Sequence, residues 1–254
     1  VNTQDGGHYD EAIDAVAVRK YETAGNRYTR GGRRVLADPR DGLDPFEPDE
    51  YGWVGQGLAQ LLLAAVAYRV AGVSDRAKQR AVEGIAAGRD FETVLVGPAQ
   101  NACLAEFVAD FRVVGGLDGA SEAAEAAIER YETDESIDAP QTIATSPLFG
   151  AAALPIKQLA RGQNNGEIAV TWDALHGPDP SRPGEFLAHR VRYKRQRLAG
   201  LVERAVTEGQ LAAPRGTTAY NTDTHRCPNC ESADVNWAGT GPLCLRCSTP
   251  MDRV

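Results

Sequence analysis

Two cysteine pairs near the end of the chain carry the clearest chemistry in the sequence. Cys227-Pro-Asn-Cys230 is followed, after thirteen residues, by Cys244-Leu-Arg-Cys247. Each Cys-x-x-Cys turn offers two thiolates from one tight bend, and a tetrahedral ion needs four. The spacing predicts one structural Zn²⁺ held by Cys227, Cys230, Cys244 and Cys247. Four cysteine ligands leave no position for water or substrate, so such an ion holds a fold together and does not catalyse. A redox dithiol pair and an iron–sulfur cluster are the competing readings. His225 stands two residues before the first knuckle and reads as an exposed histidine, since four cysteines suffice.

A second group with chemical potential is basic. Arg190, Arg192, Lys194, Arg195 and Arg197 follow His189 and surround Tyr193. Helical spacing puts Arg190, Lys194 and Arg197 on one stripe, predicted to face outward while Val191 and Leu198 turn inward. Such a stripe beside a zinc ribbon could contact phosphates. The plainer alternatives are a solvated face or a patch docked on the acidic body.

Motifs for catalysis are missing. The sequence has no phosphate loop, no His-Glu-x-x-His and no serine in a nucleophile elbow. Glu106 and Asp110 share a helix face and read as surface or capping acids. Cys103, among Ala99, Leu104 and Phe107, reads as a buried thiol. His8 and His176 fall in expected loops without partners.

Helices must carry these groups. Hydrophobic residues make up 43% of the 254 residues, enough for a core, and alanine-rich stretches favour helix over sheet. Three- and four-residue periodicity predicts a helix or bent helix pair over 10–38, then helices over 50–71, 75–91, 99–114, 119–132, 147–161, 167–175 and 185–208. A polar loop is expected to about residue 49, a linker or long loop over 133–146, and a turn at Gln163-Asn164-Asn165-Gly166. The apolar stretch 53–71 is interrupted by Gln56, Gln60 and Arg69, which favours a buried central helix over a membrane span. Asp234 to Asn236, then Leu243, predict short strands bearing the cysteine turns.

The fold class expected is therefore mainly α: a helical bundle or tetratricopeptide-like helix-hairpin array with a small C-terminal β zinc ribbon. The domains expected are 1–210, with 134–146 as a candidate subdivision, and 211–254. Gly25, Tyr28 and Ala37 resemble the first half of a tetratricopeptide unit in spacing, and Gly119, Ala124 and Ile128 resemble its second helix. The likeness covers about a third of the chain, without a clean period of about 34 residues. As a whole the chain resembles uncharacterised proteins of halophilic archaea that join such a body to a zinc ribbon. That resemblance implies architecture and no activity.

The formal charge of −8 repels bulk nucleic acid. The first twelve residues lack the basic start and apolar run of a secretory signal, and two Cys-x-x-Cys pairs suit a reducing compartment. The expected protein is a cytoplasmic, non-enzymatic adaptor for a protein partner. The alternative is a nucleic-acid-associated regulatory factor using the ribbon and the helix 189–197.

Overall fold

A computed structural model describes residues 7–37, 52–95, 97–161 and 168–254. The loop expected to residue 49 and the turn at 163–166 lie outside the described residues. Among the described residues, ten helices lead into a small ribbon: α1 His8–Ala17, α2 Tyr21–Ala37, α3 Gly52–Val70, α4 Ser74–Glu92, α5 Pro98–Gly115, α6 Ala120–Glu132, α7 Pro140–Thr145, α8 Pro147–Arg161, α9 Trp172–Leu175 and α10 Pro183–Glu208, followed by strands β1 to β5. The expected mainly helical fold with a small C-terminal sheet is what the chain adopts.

Local chemistry sets several helix ends. Proline opens α5, α7 and α10, where its missing N–H costs nothing and its φ suits a first turn. Gly209 closes α10 in the left-handed conformation (φ 59°), from which its N–H bonds back to the Val206 carbonyl. The expected bent pair at the start is two helices, α1 and α2, parted at Arg19, whose φ of 58° no helix continues.

Each of α1 to α5 packs on the next, so the first half is a series of adjoining helices. Helix α3 is the centre. It touches α2, α4, α5, α8 and α10 and is buried on all sides, as its nearly uninterrupted apolar sequence demands. No helix among the described residues is long and apolar enough to cross a membrane. The α2–α3 crossing is tight because it is lined by glycine. A Cβ on Gly32 would stand 2.9 Å from the Gly57 carbonyl oxygen.

Two expectations are corrected here. Residues 133–146 are not a linker: they include α7, and Ile137, Pro140 and Ala144 are buried. One apolar core runs from Ala12 through Ile137 and Ala144 to Leu243, so the body is not divided at 134–146. The tetratricopeptide spacing also fails to mark a hairpin, because Gly25, Tyr28 and Ala37 all lie on the single helix α2.

The ribbon has β1 Thr217–Ala219, β2 His225–Arg226, β3 Val235–Ala238, β4 Gly241–Cys244 and β5 Asp252–Arg253. Strands β1, β3 and β4 form an antiparallel sheet with β3 in the middle, and β2 pairs with β5. The expected strands at 234–236 and Leu243 correspond to β3 and β4, joined through Gly239.

Candidate metal centre

The two knuckles are built alike. The Cys227 N–H donates to the Ser232 carbonyl and the Glu231 N–H donates back to Cys227. In the second, the Cys244 N–H donates to Thr249 and the Ser248 N–H donates to Cys244. The residue after the second cysteine of each, Glu231 or Ser248, is left-handed, with φ of 58° and 61°. Two equivalent turns thus present their thiols to each other. Register does the rest: Val235 pairs with Cys244, so β3 and β4 bring the second knuckle against the first.

The four sulfurs lie within 4.8 Å of one another. Cys227 Sγ is 3.5 Å from Cys247 Sγ, Cys230 Sγ is 3.5 Å from Cys244 Sγ and 3.7 Å from Cys247 Sγ. Ligands about 2.3 Å from a tetrahedral zinc stand roughly 3.8 Å apart, so the donor set fits one ion of that size. The close approaches named run between knuckles rather than within a Cys-x-x-Cys pair, which disfavours a dithiol acting alone. A cluster of several irons would also push its cysteine sulfurs further apart than a single ion does. His225 does not join the cysteines. It is half-buried, edge-on to Trp237 at 5.3 Å, with Nδ1 2.9 Å from the Thr224 hydroxyl.

Around the thiols the apolar cluster is small: Cys227, Val235, Cys244 and Met251, with Ala219 and Cys247 against it. So little core does not hold a ribbon without a ligand. Burial pushes the Cys227 and Cys244 thiols up. Burial acts the same way on Cys247, but hydrogen bonds at Thr249 outweigh it and bring that thiol down to about 6.

The ribbon is packed on the body. Leu243 belongs to the main core. The Asp14 carboxylate on α1 accepts from the Thr240 N–H (3.1 Å) and hydroxyl (2.6 Å). The connecting segment 211–216 is bonded on both sides. Gln158 donates to the Ala212 carbonyl (2.9 Å), and Asn236 accepts from the Gly216 N–H (2.8 Å) while donating to Pro214 (3.0 Å).

Arg161, the last residue of α8, makes the closest link to the knuckles. Its guanidinium donates to the carbonyls of Ala213, Pro214 (3.1 Å) and Leu245 (2.8 Å), and Leu245 lies between Cys244 and Cys247. Arg161 is 4% exposed and pairs with no carboxylate among the described residues. Burial brings its pKa down to about 10, with Arg215 adding and Cys244 opposing. A divalent ion with four thiolates carries a charge of roughly −2, the sign that such a buried cation requires. The motif search missed Arg161, because an arginine ending a helix in sequence gives no sign of what its fork will reach. Arg161→Met leaves three carbonyls without their donor. It is expected to lower stability by roughly 2–4 kcal/mol and to open 211–254 to protease first. Arg161→Lys should recover only part, since an ammonium cannot bridge three carbonyls as a fork does. Unchanged cleavage of the tail in Arg161→Met would remove this link.

Compared with protein-family models, curated proteins and solved structures, the chain matches none. The reading of its sites therefore rests on their own geometry.

That geometry corrects the basic stripe. Arg190 and Lys194 face inward with Val191 and Leu198, each 2% exposed. They meet Glu106 and Asp110, which are buried and not surface or capping acids. Arg190 grips Glu106 with two 2.7 Å bonds, and Lys194 reaches Glu106 (2.7 Å) and Asp110 (2.5 Å). The carbonyls of Phe149 (2.9 Å) and Ala152 (2.7 Å) take further donors from Arg190 and Lys194, and the Tyr131 hydroxyl donates to Glu106 (3.1 Å). Two acids four apart on α5 thus match two cations four apart on α10. Burial alone would raise Glu106, but Arg190 and Lys194 hold it down to about 2. Burial, aided by Glu106, brings Asp110 up to about 6 against the pull of Lys194.

Of the remaining cations, Arg192 pairs with Glu132, Arg195 pairs with Glu125, and Arg197 lies over the Tyr193 ring. Only Arg195 and Arg197 of the five are exposed. Cys103 is fully buried, as expected, and burial pushes its thiol up to about 12. Both loop histidines have partners after all. His8 begins α1 with Nδ1 3.3 Å from Glu11. His176 stacks on Trp172 at 3.8 Å and on Phe186, and burial brings it down to about 4.

Proposed function

We propose that the protein is a non-enzymatic, protein-binding adaptor, in which a structural zinc ion rigidifies the ribbon as one contact surface on a helical body. The observation that carries this reading is the closed set of four cysteines on a ribbon tied to the body through Arg161, Asp14 and Leu243. A site saturated by protein thiolates supplies shape and not chemistry. The titratable groups that the fold assembles elsewhere, Glu106, Asp110, Arg190 and Lys194, are buried and paired with one another, the arrangement of a structural cluster. The ribbon also exposes Trp237 (44%) and Tyr220 (49%), the residue types that most often anchor protein contacts. Zinc is favoured over iron by its preference for four-cysteine ribbons. A cytoplasmic setting suits thiols that must stay reduced to hold the metal.

A nucleic-acid-associated role is the second reading. It no longer draws on Arg190 and Lys194, which phosphate cannot reach. It rests instead on the exposed ribbon aromatics with His225 and Arg253 facing across β2 and β5.

The deciding experiment captures partners on the intact protein, on Trp237→Ala/Tyr220→Ala and on chelated protein, and identifies both protein and nucleic acid. The adaptor reading expects one protein partner, retained by the parent and lost from the double variant and on chelation. Recovery of nucleic acid alone, weakening steeply with salt, would overturn it in favour of the second reading.

A further inference from the structure

A surface groove over α2 and its neighbours has the wrong charge for this chain. It lies between α2, the end of α3 and the start of α4, encloses about 230 Å³, and is lined by Asn26, Arg30, Arg33, Arg76, Gln79 and Arg80, with Tyr68 and Thr29 at its base. Four guanidinium groups thus share one small concavity on a chain of net charge −8.

The carboxylates that touch these arginines do not balance them. Glu83 takes Arg33 through two bonds of 2.6 and 3.0 Å and also meets Arg80, while Glu22 takes Arg76 at 2.8 Å. Arg30 is exposed and pairs with no carboxylate among the described residues. Four cations against Glu22 and Glu83 leave an excess of two positive charges.

Polar groups in the groove are mostly donors, and several are held in place. The Tyr68 hydroxyl donates to Asn26 Oδ1 (2.8 Å), which also accepts from Arg76 Nη1 (3.4 Å). The Asn26 oxygen is therefore occupied and its NH₂ is the group left to offer. The Arg76 guanidinium lies over the Tyr68 ring at 5.8 Å from its centre. Arg33 keeps Nη1 beyond its fork on Glu83, and Thr29 spends its hydroxyl on the Gly25 carbonyl at 2.7 Å.

We infer that this groove binds a small phosphate-bearing molecule. A phosphate ester carries about −1.5 to −2 at neutral pH and three acceptor oxygens, which matches an excess of two charges and a donor lining. Arginine is the side chain whose planar fork suits phosphate oxygens, and every cation lining the groove is arginine. A concavity of about 230 Å³ accommodates one or two phosphate groups, which favours a small molecule over a nucleic-acid strand. The site is independent of the adaptor reading and of the metal centre.

The test is calorimetric titration of the full-length, metal-loaded protein with inorganic phosphate, pyrophosphate and a nucleoside monophosphate, at matched ionic strength. Arg30→Ala is the first variant, because Arg30 is exposed and pairs with no carboxylate among the described residues. Arg30→Ala/Arg76→Ala follows, with Arg195→Ala/Arg204→Ala as a control removing equal charge from α10. Saturable one-to-one binding is expected, weakened at least tenfold in the groove double variant and unchanged in the control. No saturable binding, or equal weakening in both doubles, would overturn the inference. So would a single-stranded oligonucleotide that binds more tightly than pyrophosphate with a salt slope of several phosphates.

Discussion

Glu106→Gln is expected to destabilise the fold by about 3–5 kcal/mol, although it changes one atom of a side chain that no solvent reaches. Two buried cations would then share Asp110 alone. A buried charge without its partner carries a desolvation cost that nothing offsets, and the Tyr131 hydroxyl loses a charged acceptor. Urea unfolding should show a lower midpoint with unchanged slope. A fourfold change of Glu106→Met, Asp110→Leu, Arg190→Met and Lys194→Met should lie much closer to the parent. It removes the charges together and leaves the Phe149 and Ala152 carbonyls, the Tyr131 hydroxyl and the Cys103 thiol to re-pair. A Glu106→Gln protein as stable as the parent would show that the cluster is not the buried network described.

The same cluster predicts a pH dependence. Glu106 is held at about 2 in the folded chain, below its ordinary 4.5, so its contribution is present above 4.5 and lost as pH falls toward 2. Asp110 is raised to about 6 from 3.8, so the folded state gains stability as pH falls from above 6 toward 3.8. The two together place the cluster's largest contribution near pH 4, between about 3.8 and 4.5, falling away toward 6 on one side and toward 2 on the other. Unfolding midpoints across this range, compared between the parent and the fourfold variant, isolate that contribution.

This cluster also shows where the sequence could be read and where it could not. Periodicity establishes which residues share a helix face but not which way that face points. Arg190 and Lys194 look solvated because each is charged, yet Val191 and Leu198 beside them already mark the stripe as inward. A usable signal was present: a pair of acids four apart among Leu104, Phe107 and Phe111, and a pair of cations four apart among Leu187, Val191 and Leu198. The acids sit in an apolar stretch, and each pair offers the other its counter-charge. The meeting of Cys227, Cys230, Cys244 and Cys247 was legible for the opposite reason. Their chemistry is encoded in local spacing, and no distant residue is needed to recognise it. Strand β1 escaped notice because Thr217 to Ala219 is too short to alternate and exists only through its pairing with β3. Residues 133–146 looked like a linker because their apolar anchors, Ile137, Pro140 and Ala144, are few and separated by polar residues.

Removal of the metal is expected to have the second large effect, concentrated in the tail. The ribbon core around Val235 and Met251 is too small to stand alone, and structural zinc contributes on the order of 10 kcal/mol in ribbons of this size. Chelation, or Cys227→Ser, should unfold 217–254 while most helical circular dichroism remains, since the helices share a core of their own. The body should not be untouched. Loss of Leu243 from the core, of Thr240 from Asp14 and of Leu245 from Arg161 should lower its melting temperature by several degrees. Proteolysis should move into the tail, and amide exchange should rise at the end of α8 and in α1. Loss of all helical signal on chelation would mean that body and ribbon fold as one unit. An unchanged melting temperature would mean that the contacts at Asp14, Arg161 and Leu243 carry no coupling.

The centre itself is tested most directly by X-ray absorption at the zinc edge on protein purified under reducing conditions. Four cysteine thiolates on one closed tetrahedral ion predict a first coordination sphere of four sulfurs at about 2.3 Å with no oxygen or nitrogen ligand. A light-atom ligand in that sphere would mean an open site and a metal able to do chemistry. A protein that carries iron in place of zinc, or no metal at all, would contradict the structural zinc ribbon outright.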